Sequence, residues 1–340
     1  MKFDNDISPS GRLRQTESHE RVNETRRRVT RRSALGGAAL LGGGLVGGSV
    51  FDAAGVAMAQ GRDKDERKPN KGGWFSLFDG KTLHGWHATP RIFGPIYPGG
   101  PHYNIDPEIV RQSPLYPAQW YVEDGAIVGR QDPDHPGFGG FLLTDRHFMD
   151  FELKIEVNND WPTDSGISLR KADRDWAGIQ VLIDHRPAGG IGGYFGNSLG
   201  GFHAIKFALD RKPDGSGLYV LDPANPLEPV TPAKAALLQY FTSEETFLET
   251  WKWQGWNEFT IRSVGKYPQI TTHINDVLIS KIDLANLQWP NYDKDAMFGW
   301  LGYSGSIALE VHENGKGDLG AARWGPGAKC RWRNIRIREL

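Results

Sequence analysis

Phe151-Glu152-Leu153-Lys154-Ile155-Glu156-Val157 carries an apolar side chain at every second position. Successive side chains of a strand point to opposite faces, so this stretch reads as a strand with one dry face and one wet face. The end of the chain repeats the pattern, with Ile335 and Ile337 alternating against Arg336 and Arg338. From Trp74 onward the texture is short β-rich runs broken by Gly, Pro and Asp. Strands are predicted at Ser76–Phe78, Trp120–Glu123, Ala126–Gly129, Phe141–Leu143, Phe151–Val157, Gly166–Arg170 and Ile179–Asp184. Further strands are predicted at His203–Ala208, Asn257–Ser263, Gln269–Ile274, Val277–Ile282, Ile307–Glu310 and Cys330–Arg338. Tight turns fall at Glu123-Asp124-Gly125-Ala126 and Ile274-Asn275-Asp276-Val277, where Asp-Gly and Asn-Asp favour positive φ. No long amphipathic helix is predicted; Ala233 to Tyr240 and Ser243 to Thr250 are the best short candidates. Many short strands with regular turns predict an all-β sandwich or barrel.

Two long excursions interrupt this texture. Residues Ala88 to Gln119 are rich in Pro, Gly and aromatics, and Asp210 to Trp253 form a second insertion. Loops of this length are functional or disordered as a rule. The aromatic content of the first (Phe93, Tyr97, Tyr103, Tyr116) argues for order.

The first 59 residues read as an export leader. Thr30-Arg31-Arg32-Ser33-Ala34-Leu35 is a twin-arginine pattern, Ser33 to Phe51 holds no charge, and Ala57-Met58-Ala59 is a small-x-small cleavage site. Cleavage near Ala59/Gln60 would leave a charged tether over residues 60–72 and one domain over 73–340, in the periplasm or outside the cell, with no stable membrane span. The 340 residues hold 40 Lys/Arg and 41 Asp/Glu, a formal charge of −1. The leader takes 9 of the basic and 6 of the acidic residues, so the remainder carries 31 against 35, or −4. Such a mildly acidic surface argues against nucleic acid, whose binding depends on phosphate neutralisation. Cys330 is the only cysteine, so no intrachain disulfide forms.

The motifs then fall into a recognisable order. Leu77-Phe78-Asp79-Gly80-Lys81-Thr82-Leu83-His84-Gly85-Trp86 is followed by Trp120-Tyr121-Val122-Glu123-Asp124-Gly125-Ala126-Ile127-Val128-Gly129 and Leu142-Leu143-Thr144-Asp145-Arg146. Phe151-Glu152-Leu153, Ser165-Gly166-Ile167-Ser168-Leu169-Arg170, Trp256-Asn257-Glu258 and Arg333-Asn334-Ile335 complete the set. In these elements the chain resembles the 3-keto-disaccharide hydrolase domain family of the concanavalin A-like superfamily, from about Gly73 to Leu340. The resemblance implies a β-jelly-roll of two curved antiparallel sheets with a carbohydrate site on its concave face. It also implies cleavage of 3-keto-glycosides at the anomeric carbon, by elimination or hydrolysis. A ketone at carbon 3 acidifies the proton on carbon 2, so such chemistry needs a base, a group that polarises the ketone and, often, a divalent metal ion for the enolate. The chain departs from the family pattern at Gln180 and Leu182, where a glutamate and a glutamine are usual, and at Glu310, where the family often has glutamine.

These considerations single out Arg170 as a cation for the ketone or enolate oxygen. Asp184 with His185, and Glu310 with His312, are each either a base with its orienter or a plain strand-end pair. Asp184, Glu310 and His312 are also the candidate metal ligands. Substrate contacts are expected from Gln180, Tyr194, Asn197, Lys206 and Trp176, with the glycine-rich Ala188 to Asn197 read as a loop beside the sugar. Trp161 and Trp324 are further candidates for stacking on sugar faces. The chain lacks a Glu-x-Asp-x-x-Glu motif, which excludes a conventional retaining glucanase strand. A noncatalytic lectin-like module and a surface interaction domain built on the two insertions are the competing readings.

Overall fold

A computed structural model of the chain describes residues 73–212, 219–315 and 317–340. The twin-arginine leader and the tether read from the sequence lie outside the described residues. Eighteen strands are described. In chain order they are β1 (Phe75–Ser76), β2 (Trp86–Pro90), β3 (Gln119–Glu123), β4 (Ala126–Arg130), β5 (Gly140–Thr144), β6 (Phe151–Asn159), β7 (Gly166–Lys171), β8 (Gly178–Ile183) and β9 (Ile191–Asn197). They continue with β10 (His203–Ala204), β11 (Leu209–Arg211), β12 (Tyr219–Leu221), β13 (Leu238–Phe241), β14 (Asn257–Val264), β15 (Gln269–Ile274), β16 (Val277–Asp283), β17 (Ser306–Val311) and β18 (Cys330–Glu339).

All pairings are antiparallel, and two large sheets result. The first has the order β13-β16-β15-β14-β6-β18-β4-β3, with β1 on the edge of β18; the second has the order β10-β9-β8-β7-β17-β5-β2. The fold is thus the expected all-β jelly-roll sandwich. The first and last described strands pair: Phe75 pairs Ile337 and Ser76 pairs Arg336, while β18 also pairs β6. Inward alternation builds the core. Phe151, Leu153, Ile155 and Val157 of β6 face Ile179, Val181 and Ile183 of β8, Ile167 and Leu169 of β7, and Ile307, Leu309 and Val311 of β17 within one buried cluster. Burying a side chain of this size stabilises by roughly 1.5–3 kcal/mol, which is why these strands tolerate charge only at alternate positions.

The second sheet is unusual in being covered on both faces. Its outward side chains include Ser168, Gln180 and Glu310, yet all three are buried. The cover comes from the first insertion, where Phe93, Tyr103, Ile105 and Ile109 pack with Phe141, Leu143, Trp176 and Ala308. A six-residue helix, Pro107–Gln112, lies in this insertion, capped by the Asp106 carboxylate on the Glu108 N–H.

Several expectations are corrected. The glycine-rich stretch is not a loop: Ile191 to Asn197 is β9, hydrogen-bonded to β8 and β10. Its glycines serve close approach. A Cβ on Gly192, which has φ +75°, would lie 2.7 Å from Ile279 Cγ2. The strand predicted over His203–Ala208 ends at Ala204. The helix expected from Ala233 is one turn, Pro232–Ala235, and Leu238–Phe241 is an edge strand. Ser243 to Thr250 behaves as expected, with the Ser243 hydroxyl accepting from the Thr246 N–H of helix Glu244–Thr250.

Candidate functional site

On the outer face of the second sheet lies a cavity of about 310 Å³. This is at the small end of ligand clefts, about 300–1,000 Å³. Strand alternation fixes its floor: Ile179, Val181 and Ile183 of β8 enter the core, so Gln180 and Leu182 face the cavity. By the same rule Phe195 and Asn197 of β9 face it, and Tyr194 does not. Trp176 and Tyr103 form one wall, their rings edge-on at 4.8 Å. Charged groups close the rest.

Three arginines and the acids around them make the cavity strongly polar. Asp164 accepts from Arg186 Nε at 2.9 Å and from Arg323. Burial pushes the Asp164 carboxyl up, but the Arg186 and Arg323 guanidiniums outweigh it and hold it well below the usual carboxylate range. Asp184 moves the other way. Burial and the neighbouring Asp164 charge raise it well above that range. Its Oδ1 has no hydrogen-bond partner. Arg186 spans both acids and Glu228, donating to Glu228 Oε2 at 3.2 Å. Its own pKa is lowered by burial but raised further by Asp164, Asp184 and Glu228, so it stays a fixed cation.

His203 and Glu228 form the most reactive arrangement. His203 Nδ1 is 2.9 Å from Glu228 Oε1, so Nδ1 carries a proton and donates to the carboxylate. Nε2 is buried and unpartnered, and the ring lines the cavity. Burial raises the Glu228 carboxyl, but His203 and Arg186 bring it down to about 2. The carboxylate is therefore ionised throughout the physiological range and holds the imidazole in one tautomer.

His312 is a different kind of histidine. Its Nε2 lies 3.0 Å from Arg91 Nη2 and 3.1 Å from Arg323 Nη1, so it accepts from two guanidiniums. Nδ1 then carries the proton and donates to Glu313 O at 2.7 Å. Burial and Arg91 depress its pKa to about 4. The ring is a neutral joint between arginines, with no lone pair left for substrate. Glu310 sits beneath: it pairs with Arg91 and accepts from Gln180 Nε2 at 2.5 Å, while Gln180 Oε1 accepts from Asn197 at 3.3 Å. Trp176 Nε1 donates to Ser198 Oγ at 2.8 Å. The exchanges at Gln180 and Glu310 are thus reciprocal, each residue being the other's partner.

Of the predicted site residues, Asp184, His312, Gln180, Asn197 and Trp176 line the cavity, with Glu310 bonded directly behind them. Four lie elsewhere. Arg170 donates to Gly265 O at 2.6 Å and Lys266 O at 2.8 Å, tying down the β14–β15 turn. His185 Nδ1 donates to Asp160 O, 3.1 Å away, and the ring packs against Trp161 and Trp253 and is kept neutral by burial at a pKa of about 4. Tyr194 points between the sheets, bonded to Thr272 Oγ1 at 3.0 Å and Ser280 Oγ at 2.8 Å. Lys206 is exposed to solvent. The sequence did not single out Arg91, Tyr103, Asp164, Arg186, Glu228, Glu313 or Arg323. Asp164 adjoins the Ser165-Gly166-Ile167 motif and Arg186 follows Asp184-His185; Tyr103 and Glu228 come from the two insertions.

The candidate metal ligands do not fit a divalent ion. Among the described residues no three His, Cys, Asp or Glu side chains converge on a point that could hold one. Glu310 is committed to Arg91 and Gln180, and His312 Nε2 faces two guanidiniums. A site already holding Arg91, Arg186 and Arg323 repels a cation and suits a substrate that develops negative charge.

No curated protein matches the chain. Among solved structures, a candidate glycosyl hydrolase from Parabacteroides distasonis ATCC 8503 is 16% identical, with a TM-score of 0.38, covering 78% of this chain and 99% of its own. A second candidate glycosyl hydrolase from that organism is 13% identical, with a TM-score of 0.40, covering 81% and 99%. The carbohydrate-binding module CBM66 from Bacillus subtilis is 9% identical, with a TM-score of 0.37, covering 65% and 92%. Likenesses this distant bear on neither substrate nor mechanism. The profile of the 3-keto-alpha-glucoside-1,2-lyase-like domain matches residues 73–338, nearly all of the chain beyond its first 72 residues, and the chain belongs to that family.

Proposed function

We propose that this domain cleaves glycosides oxidised at carbon 3 of the sugar by 1,2-elimination. The observation that carries this reading is His203, a buried imidazole with an unpartnered Nε2 at the cavity and Nδ1 held on ionised Glu228. In this scheme Nε2 removes the carbon-2 proton, and the electron pair moves into the carbon 2–carbon 3 bond to give an enolate. The arginine cluster neutralises the enolate oxygen; aimed charges of this kind in a dry site are worth several kcal/mol to a transition state, about 2.7–4 for one donor. The ketone re-forms as the carbon 2 electrons make a double bond to carbon 1 and the carbon 1–oxygen bond breaks. Asp184 gives its proton to the departing oxygen. The products are an alcohol and a 1,2-unsaturated 3-keto-sugar, to which water can add for net hydrolysis. His203 and Asp184 return to their starting states by proton exchange with solvent.

Purified protein incubated with a p-nitrophenyl 3-keto-glucoside tests the scheme. Nitrophenol release by the wild type and its loss in His203→Gln is the expected result. Binding of the keto-sugar without release would favour the lectin-like reading instead. The same proposal has the enzyme exported through the twin-arginine leader of residues 1–59; mature protein from the periplasm should begin near Gln60 on N-terminal sequencing.

A further inference from the structure

Lys171 is a buried ion that the elimination scheme does not use. It is 1% exposed, at the end of β7. A bulge puts it there. Ser168 pairs Ala308 but Lys171 pairs Ser306, so three steps along β7 match two along β17, and Arg170 takes a φ of +49° between them. The extra residue returns Lys171 to the outward face of Ser168, which strict alternation would deny it. On that face its Nζ lies 4.8 Å from the centre of the Phe141 ring.

The ammonium serves the loop that joins β7 to β8. It donates to the carbonyls of Ala172 and Asp175, while the Ala172 N–H donates to Ala177 O at 3.0 Å and closes the loop. Asp175 O and the Trp176 N–H belong to one peptide plane. Lys171 holds the carbonyl side of that plane, and Ile92 O, in the first insertion, holds the N–H side at 2.9 Å. A plane held on both sides fixes where the Trp176 side chain starts, and that ring is a wall of the cavity. The charged groups acting on Lys171 are Asp173, Arg174 and Asp175 of its own loop and Arg91, whose guanidinium also lies over Phe141. Burial outweighs the acids and brings the amine down to about 7.

We propose that Lys171 is a positioning residue for substrate binding, acting through the Asp175–Trp176 peptide to hold the Trp176 wall. The proposal rests on this cavity being the substrate site. The ammonium makes charge-assisted bonds, about twice as strong as those of the neutral amine. The wall is therefore held firmly while Lys171 is charged and loosely once it is not. Substrate should bind less tightly as pH rises through the amine's pKa. The chemistry at His203, which Lys171 does not touch, should keep its rate.

The wall can be read without substrate. In protein labelled with 5-fluorotryptophan, the Trp176 resonance is identified by its loss in Trp176→Phe. It should move with a midpoint near pH 7 in the wild type and stay fixed from pH 6 to 8.5 in Lys171→Met. A resonance that stays still in the wild type would overturn the proposal even if Lys171→Met fails to fold, and so would one that moves equally in both proteins. Kinetics on a p-nitrophenyl 3-keto-glucoside test the consequence. At pH 6, Lys171→Met should raise KM by about three- to tenfold and leave kcat unchanged. Wild-type KM should approach that of the variant at pH 8.5. A lower kcat at unchanged KM would overturn the proposal. Absence of nitrophenol release by the wild type would instead sink the elimination scheme, and the resonance alone would then decide the role of Lys171.

Discussion

Glu228 accepts a 2.9 Å hydrogen bond from His203 across two elements far apart in the chain, the short strand β10 and the second insertion. That contact turns a histidine at a strand end into an oriented base. Replacing His203 by Gln should lower kcat on a 3-keto-glucoside by about 10²–10⁴, the usual worth of a positioned general base. Glu228→Gln should cost less in kcat, because the imidazole keeps a hydrogen-bond partner but loses the ionised one. His203→Gln should melt within a few degrees of wild type.

Tyr103 reaches the cavity with a hydroxyl that has no partner. Burial raises that hydroxyl to a pKa of about 12, so it remains a donor at any working pH. Removing an unsatisfied buried group relieves a desolvation cost of about 1–3 kcal/mol. Tyr103→Phe should therefore raise the melting temperature slightly while raising KM for the keto-sugar. Calorimetry and initial rates on one preparation read both signs.

Arg170 supplies the opposite signature. Its guanidinium serves two carbonyls of the β14–β15 turn. Arg170→Ala leaves both unpaired and should destabilise by about 1–3 kcal/mol. Turnover by the folded fraction should be unchanged, since the group lies outside the cavity.

Stability should fall on the acid side in two stages. His185 and His312 have folded pKa values of about 4, below the ordinary histidine value of 6.5. The unfolded chain binds their protons first, so the stability they contribute is present above pH 6.5 and is lost as pH falls toward 4. Glu228, lowered to about 2 from 4.5, adds a second loss below pH 4.5. Asp184 is raised, so its contribution runs the other way and fades with rising pH. Melting curves from pH 3 to 9 should show these slopes, with the alkaline one reduced in Asp184→Asn.

The sandwich was legible because a period of two is written into every core strand, as at Phe151–Val157, and turn residues mark the ends. β9 was hidden because its glycines, selected for close packing against Ile279 and Phe202, look like loop composition. Strand alternation also found half of the site: Gln180, Asp184, Glu310 and His312 sit together as their spacing requires. It failed at Arg170 and Tyr194, where the side chain's face depends on a positive φ of 49° at the former and on strand register at the latter. Glu228 and Tyr103 carry no local signal at all. They belong to the two insertions, and only the folded chain brings them to His203 and Trp176.

The central claim is proton loss from carbon 2. A 3-keto-glucoside bearing deuterium at carbon 2 should release its aglycone more slowly than the protium substrate, and the deuterium should appear in solvent as the 1,2-unsaturated keto-sugar forms. Release of the aglycone with full retention of deuterium at carbon 2 would contradict it.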